Sequence, residues 1–205
     1  GMYVIIDWVA NHTSWDNELT KTNPEFYKKD SIGNFIPPVP DWQDVIALDY
    51  SNKNLWEYMS DAMAYWIKEF NIDGFRCDVA GMITTDFWNY TRKKLNQIKP
   101  VFMLAEWESP DLHIKAFDMT YSWDIYHIMN DIYKSKKNVN DIFKQLAKEK
   151  KQYPENAFRM RFLTNHDENS WNGTEFERMG NGVEAFAVVS STIPGMFLLY
   201  SGQEI

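Results

Sequence analysis

An α/β fold, with helices covering a parallel sheet, is what this chain predicts, and three observations predict it. About six short apolar runs alternate with longer stretches of helical period. Each run and its helix together span the usual length of a βα unit. The polar residues with chemistry to offer collect at the ends of the runs. The open doubly wound sheet and the closed eight-stranded barrel both fit this pattern. No G-x-G-x-x-G or G-x-x-x-x-G-K-[ST] follows a run, which counts against the nucleotide-binding versions.

Taken in order, Tyr3–Val9 is the first strand expected. Asn11 to about Tyr50 is rich in Pro, Asp, Asn and aromatics, shows no helical period and reads as a long irregular excursion, a length that is usually functional. Lys53–Phe70 reads as a helix, with Leu55, Met59, Met63, Trp66 and Phe70 in one stripe and Asn52 or Asn54 as its cap. Ile72–Val79 is a strand. Thr84 or Thr85 caps the next helix, which runs to about Ile98 before Pro100. Val101–Glu106 is a strand and Ala116–Tyr121 a weaker one. Helices follow over Trp123–Tyr133 and about Asn140–Lys151, the second capped by Asn140. Ala157–Leu163 is a strand, Val183–Ser191 a short helix, and Gly195–Tyr200 the last strand.

Composition narrows the function. At 205 residues and 44% hydrophobic the chain can bury a sizeable core, which excludes a disordered or low-complexity protein. One cysteine excludes an internal disulfide framework and a cysteine zinc cluster. The net charge of −8, without a basic stripe, argues against nucleic acid. No apolar run approaches the roughly 20 residues of a membrane helix. No basic region or small-residue cleavage site precedes Tyr3, so no signal peptide is expected. The 9 Trp, 11 Tyr and 13 Phe serve either a large core or a surface that stacks on flat ligands such as sugar rings.

The strand ends carry the chemistry. Asp7, Asn11 and His12 follow the first strand in Asp-Trp-Val-Ala-Asn-His. Arg76 and Asp78 close the second in Gly-Phe-Arg-Cys-Asp-Val-Ala. Glu106 closes the third in Met-Leu-Ala-Glu-Trp, and Asn165, His166 and Asp167 follow the fifth in Phe-Leu-Thr-Asn-His-Asp. In a parallel barrel all such ends point to one face. A single Asp there is more often a helix cap, and a single His more often a structural residue; four polar strand ends are harder to dismiss. Arg76, two residues before Asp78, shares its side of the strand and would hold a carboxylate ionised and oriented. A second carboxyl crowded by negative charge stays protonated as an acid. Those two roles are what a retaining glycosidase needs.

These segments resemble the signature regions of the alpha-amylase family of glycoside hydrolases (family 13). Asp7–His12 is similar to the first, Gly74–Ala80 to the second, Glu106 after its apolar run to the third, and Phe162–Asp167 to the fourth. Gly195–Glu204 is similar to a further region on the last barrel strand. The resemblance implies a (β/α)8 TIM-barrel type fold, incomplete, with about six of the eight βα units. Residues 1–205 would then be a partial catalytic barrel with 13–50 as a short insert, and the first two barrel strands and the C-terminal β domain would be absent. It implies Asp78 as nucleophile, Glu106 as acid/base and Asp167 as the carboxylate that stabilises the transition state. Arg76 orients the nucleophile, and His12 and His166 bind the sugar at the cleavage point. No cofactor is implied. Many members bind a structural calcium between insert and barrel; Asn11 matches one ligand position, but Ala47 stands where those members carry Asp, which counts against the ion. Gly81-Met82 replaces the Lys-His pair that often follows the nucleophile. Val79 stands where α-1,4-specific members often have Thr and α-1,6-acting or broader ones Val.

The function expected is retaining hydrolysis of α-glucosidic bonds in starch-like or maltodextrin substrates, with an α-glucan oligo- or polysaccharide as partner. An α-1,6-glucosidase or an α-glucan transferase is the alternative within the family. A non-catalytic amylase-like binding or partner domain, or an inert fragment, is the alternative outside it. Trp8, Trp107, Phe75 and Tyr200 lie beside site residues and are candidates for stacking or for plain barrel packing, with Phe75 expected to point away from the Arg76 side. If two barrel strands are missing, the apolar strands at either end expose sheet edges, and self-association through them is expected.

Overall fold

The computed structural model describes residues 1–205 and divides into two compact units, Gly1–Asp118 and Met119–Ile205.

The first unit is built on three parallel strands, β1 (Ile5–Trp8), β4 (Gly74–Cys77) and β5 (Phe102–Ala105), with β4 in the middle. The register sets Asp7 beside Arg76, and Arg76 beside Leu104. Strand alternation then sorts the side chains. Ile6, Trp8, Phe75, Cys77, Met103 and Ala105 pack into the apolar core with the helices, while Asp7 and Arg76 share the other face. Phe75 is fully buried with its ring edge-on to Trp8, so it does point away from Arg76. Gly74 is more than the turn residue that Asp73-Gly74 suggests: a Cβ there would strike the Phe102 backbone, so glycine allows β4 and β5 to close.

Helix α2 (Lys53–Phe70) lies between β1 and β4 in sequence, and α3 (Thr85–Leu95) between β4 and β5. Asn52 caps α2 by accepting from the Asn54 N–H, and Leu55, Met59 and Met63 of the expected stripe are buried; Trp66 and Phe70 at its C-terminal end stay exposed. Thr84 makes no side-chain cap on α3; Thr85 instead turns its hydroxyl to Asp111 at 2.7 Å.

The excursion after β1 is not irregular throughout. It opens and closes as an antiparallel ribbon, β2 (His12–Ser14) against β3 (Val45–Ala47), with His12 opposite Ala47. A single helical turn, α1 (Leu19–Thr22), and an isolated bridge between Tyr27 and Leu48 fold the rest onto it. Phe26, Tyr27, Ile46 and Leu48 are buried in the unit's core, which gives the segment an anchor.

The second unit has parallel strands β6 (Met119–Tyr121), β7 (Phe158–Arg161) and β8 (Met196–Phe197), with β7 in the middle. Helices α4 (Trp123–Tyr133) and α5 (Val139–Gln152) connect β6 to β7. Asn138, rather than Asn140, caps α5, in a reciprocal capping box with Asp141. Three short helices connect β7 to β8: α6 (His166–Trp171), α7 (Glu175–Met179) and α8 (Val183–Thr192). Arg159 and Arg161 alternate on β7 and are both buried, facing Glu149 of α5; Arg161 pairs with it at 2.6 and 3.0 Å and Arg159 at 3.6 Å.

Candidate active site

Arg76 organises the polar face of the first unit. It is 7% exposed, and its guanidinium reaches three carboxylates. Nη1 meets Asp7 Oδ1 at 2.9 Å and Asp78 Oδ1 at 2.7 Å, and Nη2 meets Glu106 Oε1 at 2.5 Å. The register explains the set. Asp7 is the strand neighbour of Arg76, Asp78 lies two residues along the same strand, and Glu106 ends the strand on the other side.

One cation among three carboxyls cannot neutralise them all, and burial raises the pKa of the most buried one. Glu106 is pushed up to about 7 from an ordinary carboxyl value, first by burial, with the charge of Asp78 and a hydrogen bond to it adding to the rise. Arg76 and the Val79 N–H, which donates to Glu106 Oε2 at 3.0 Å, pull the other way. A carboxyl poised near neutral pH can give and take a proton.

Val79 is held in the left-handed region at φ 36° and ψ 45°. That conformation is strained for a β-branched residue by about 1–2 kcal/mol. It bends the chain immediately after Asp78, where the Val79 N–H reaches Glu106. Val79→Gly, which removes both the strain and a partly buried side chain, is expected to change stability by less than about 1 kcal/mol. A drop of several degrees in Tm would contradict the strain.

His12, on β2, lies alongside. Its ring is half-buried and edge-on to Trp42 at 5.6 Å. Burial lowers its pKa below the ordinary imidazole value, against the opposing pull of Asp78 and Asp44. The ring is therefore neutral at pH 7 and offers one donor and one acceptor. Asn11 precedes His12 in the chain and is buried. Its side-chain amide faces His12 Nδ1 at 3.4 Å and Met82 Sδ at 3.9 Å, and its carbonyl accepts the Leu48 N–H.

In the second unit, Asn165 caps α6 by accepting the Glu168 N–H at 2.8 Å. His166 and Asp167 follow it, half-exposed, with Nε2 and Oδ2 3.3 Å apart. Behind them Glu168 accepts from the Tyr126 hydroxyl and from Asn172, and Arg178 donates to Tyr126 and to the Leu163 carbonyl. That network fixes the helix that carries His166 and Asp167.

Each expected site residue therefore has a place. Arg76, Asp78 and Glu106 are brought into direct contact with His12 alongside, and His166 stands against Asp167. Asp7, expected at the first strand end but given no role there, joins the first cluster, as do the Val79 N–H and Trp42, which were not expected. The pairing of Asp7 with Arg76 follows from the register of β1 against β4.

Loss of Arg76 should be costly. Arg76→Ala leaves Asp78 and Glu106 facing each other with no cation between them. Breaking a buried pair in this way is expected to cost about 3–5 kcal/mol. Chemical denaturation checks this, and a midpoint unchanged from wild type would show that the guanidinium is dispensable.

A parallel α/β architecture with paired carboxyls at its strand ends defines a class, and comparison with known proteins supplies the family. The family described as "Alpha amylase, catalytic domain" matches residues 39–205, and the chain belongs to it. The crystal structure of a noncanonic maltogenic alpha-amylase, AmyB, from Thermotoga neapolitana is 37% identical, with a TM-score of 0.89 over 99% of this chain and 47% of that one. An alpha-amylase from Lactobacillus plantarum is 33% identical, with a TM-score of 0.90 over 100% of this chain and 51% of that one. "Alpha-amylase 2" of Dictyoglomus thermophilum is 28% identical over all of this chain and 38% of its own length. The chain thus spans from over a third to about half the length of these relatives, and its parallel α/β fold matches the corresponding part of the alpha-amylase barrel.

Proposed function

We propose that this chain carries the core of a retaining glycoside hydrolase acting on α-glucosidic bonds of starch-like or maltodextrin substrates. The observation that carries the reading is the single guanidinium of Arg76 joining Asp78 to Glu106, whose pKa is raised to about 7.

In the first step an Asp78 oxygen attacks the anomeric carbon. The bond from that carbon to the glycosidic oxygen breaks, and Glu106 gives its proton to the departing oxygen. In the second step Glu106, now a carboxylate, takes a proton from water. The water oxygen bonds to the anomeric carbon, and the ester to Asp78 breaks. Two inversions leave the α-anomer. Arg76 holds the nucleophile in place, and the family resemblance implies that His12 and His166 hydrogen-bond the sugar at the cleavage point and that Asp167 stabilises the transition state.

The substrate class is supported by relatives described as "Cyclomaltodextrinase" and "Intracellular maltogenic amylase". Val79 favours a second reading, cleavage of α-1,6 bonds, and a relative described as "Pullulanase" is 29% identical over 51% of the chain. Comparing glucose or maltose release from linear maltooligosaccharides and from isomaltose separates the two. NMR of the first product tests the retaining step in both, and an initial β-anomer would refute it.

A further inference from the structure

The chain turns sharply after Asp78. Val79 is left-handed and Ala80–Met82 form a 3-10 turn. Fully buried Trp88 pins this turn by donating its indole N–H to the Ala80 carbonyl at 2.9 Å. Gly81 sits in the middle of the turn. Its φ lies outside the left-handed region, so its backbone would accept any residue. Space is what singles it out: a Cβ at Gly81 would fall on the pyrrole edge of the Trp107 indole. The ring therefore lies against bare backbone.

The same turn grips two successive residues. The Val79 N–H holds Glu106, and Gly81 seats Trp107, which remains 38% exposed. The group that protonates a glycosidic oxygen must touch the departing sugar. A flat, part-exposed indole on the next residue offers that sugar's apolar face a surface.

We propose that Gly81 is a specificity-determining residue for the leaving group. By carrying no side chain it holds the Trp107 indole where it stacks on the departing glucosyl ring of a maltooligosaccharide. The proposal rests on Glu106 being the acid. Gly81 acts only through Trp107, as a positioning residue.

The test compares two substrates on the intact enzyme. Cleavage of maltotetraose releases a sugar as leaving group, whereas α-maltosyl fluoride loses fluoride and offers no ring to the indole. Gly81→Ala is expected to raise KM for maltotetraose about ten-fold. Its kcat/KM for the fluoride should stay within about two-fold of wild type. Trp107→Ala should show the same split. Because Gly81 acts through the indole, the double variant should be no worse than Trp107→Ala alone. It also removes the clash, so it reads the effect even if Gly81→Ala fails to fold. Unchanged kinetics in Gly81→Ala, equal losses on both substrates, or multiplying losses in the double variant would each overturn the proposal while the glycosidase reading stands. A wild type inactive on both substrates would overturn that reading, and this proposal with it.

Discussion

Asp78→Asn is expected to end turnover, with a loss on the order of 10⁴-fold or more in kcat. An amide oxygen is a poor nucleophile, so the glycosyl ester does not form. The substitution is nearly isosteric, and Arg76 keeps Asp7 and Glu106 as partners, so the fold should survive. Maltooligosaccharide hydrolysis and circular dichroism, measured together, check both halves. A variant that stays folded and retains more than about a hundredth of the activity would remove Asp78 from the nucleophile's role.

Glu106→Gln is the second large effect, and it should depend on the leaving group. Losing the proton donor costs about 10²–10⁴-fold on a sugar leaving group. The loss should be smallest in the first step with a fluoride, which needs little proton assistance. The pH profile carries a sharper signature. The acid is protonated below its pKa of about 7, so wild-type kcat/KM should fall as pH rises through that value. The glutamine variant should lack this limb. Stability follows the same proton. The folded protein holds it more tightly than the unfolded chain, so the contribution of Glu106 is full below the ordinary value of 4.5 and is lost as pH rises through about 7. Tm measured across that window should fall more in wild type than in Glu106→Gln, and parallel curves would show that burial does not raise this carboxyl.

The long amphipathic helices were legible because many periodic positions agree. Lys53–Phe70 and Trp123–Tyr133 come out at the bounds that the apolar stripes set. The strands were found but overestimated in length. Apolar runs extend beyond the hydrogen-bonded ladder, and Gly195–Tyr200 forms a strand only at Met196–Phe197. Helix α3 stops at Leu95 instead of Ile98, because the backbone tightens into turns where the Ile98 N–H returns to the Leu95 carbonyl. Helices α6 and α7 are too short for a periodic signal. Yet Thr174 and Glu177 spell a capping box that marks the start of α7, and Asn165 marks that of α6.

The site residues were legible for a different reason. Motifs at strand ends name Arg76, Asp78 and Glu106 directly, and alternation along a strand predicts that Arg76 and Asp78 meet. Glu106 was named as the acid only through the family resemblance, since the burial and the partners that raise its pKa are tertiary facts. The part played by Asp7 depends on strand register, and that of Gly81 on where one indole comes to rest. The buried Arg159, Arg161 and Glu149 cluster likewise needs α5 placed over β7 before its charges make sense.

The most direct test is to trap the covalent intermediate. A fluorinated α-glucosyl fluoride that forms the glycosyl ester quickly and releases it slowly should label the intact enzyme once. After proteolysis, mass spectrometry should place the sugar on Asp78, with no label in Asp78→Asn. A label on Glu106, Asp167 or any other residue, or no label with a β-anomer as first product, would contradict nucleophilic attack by Asp78.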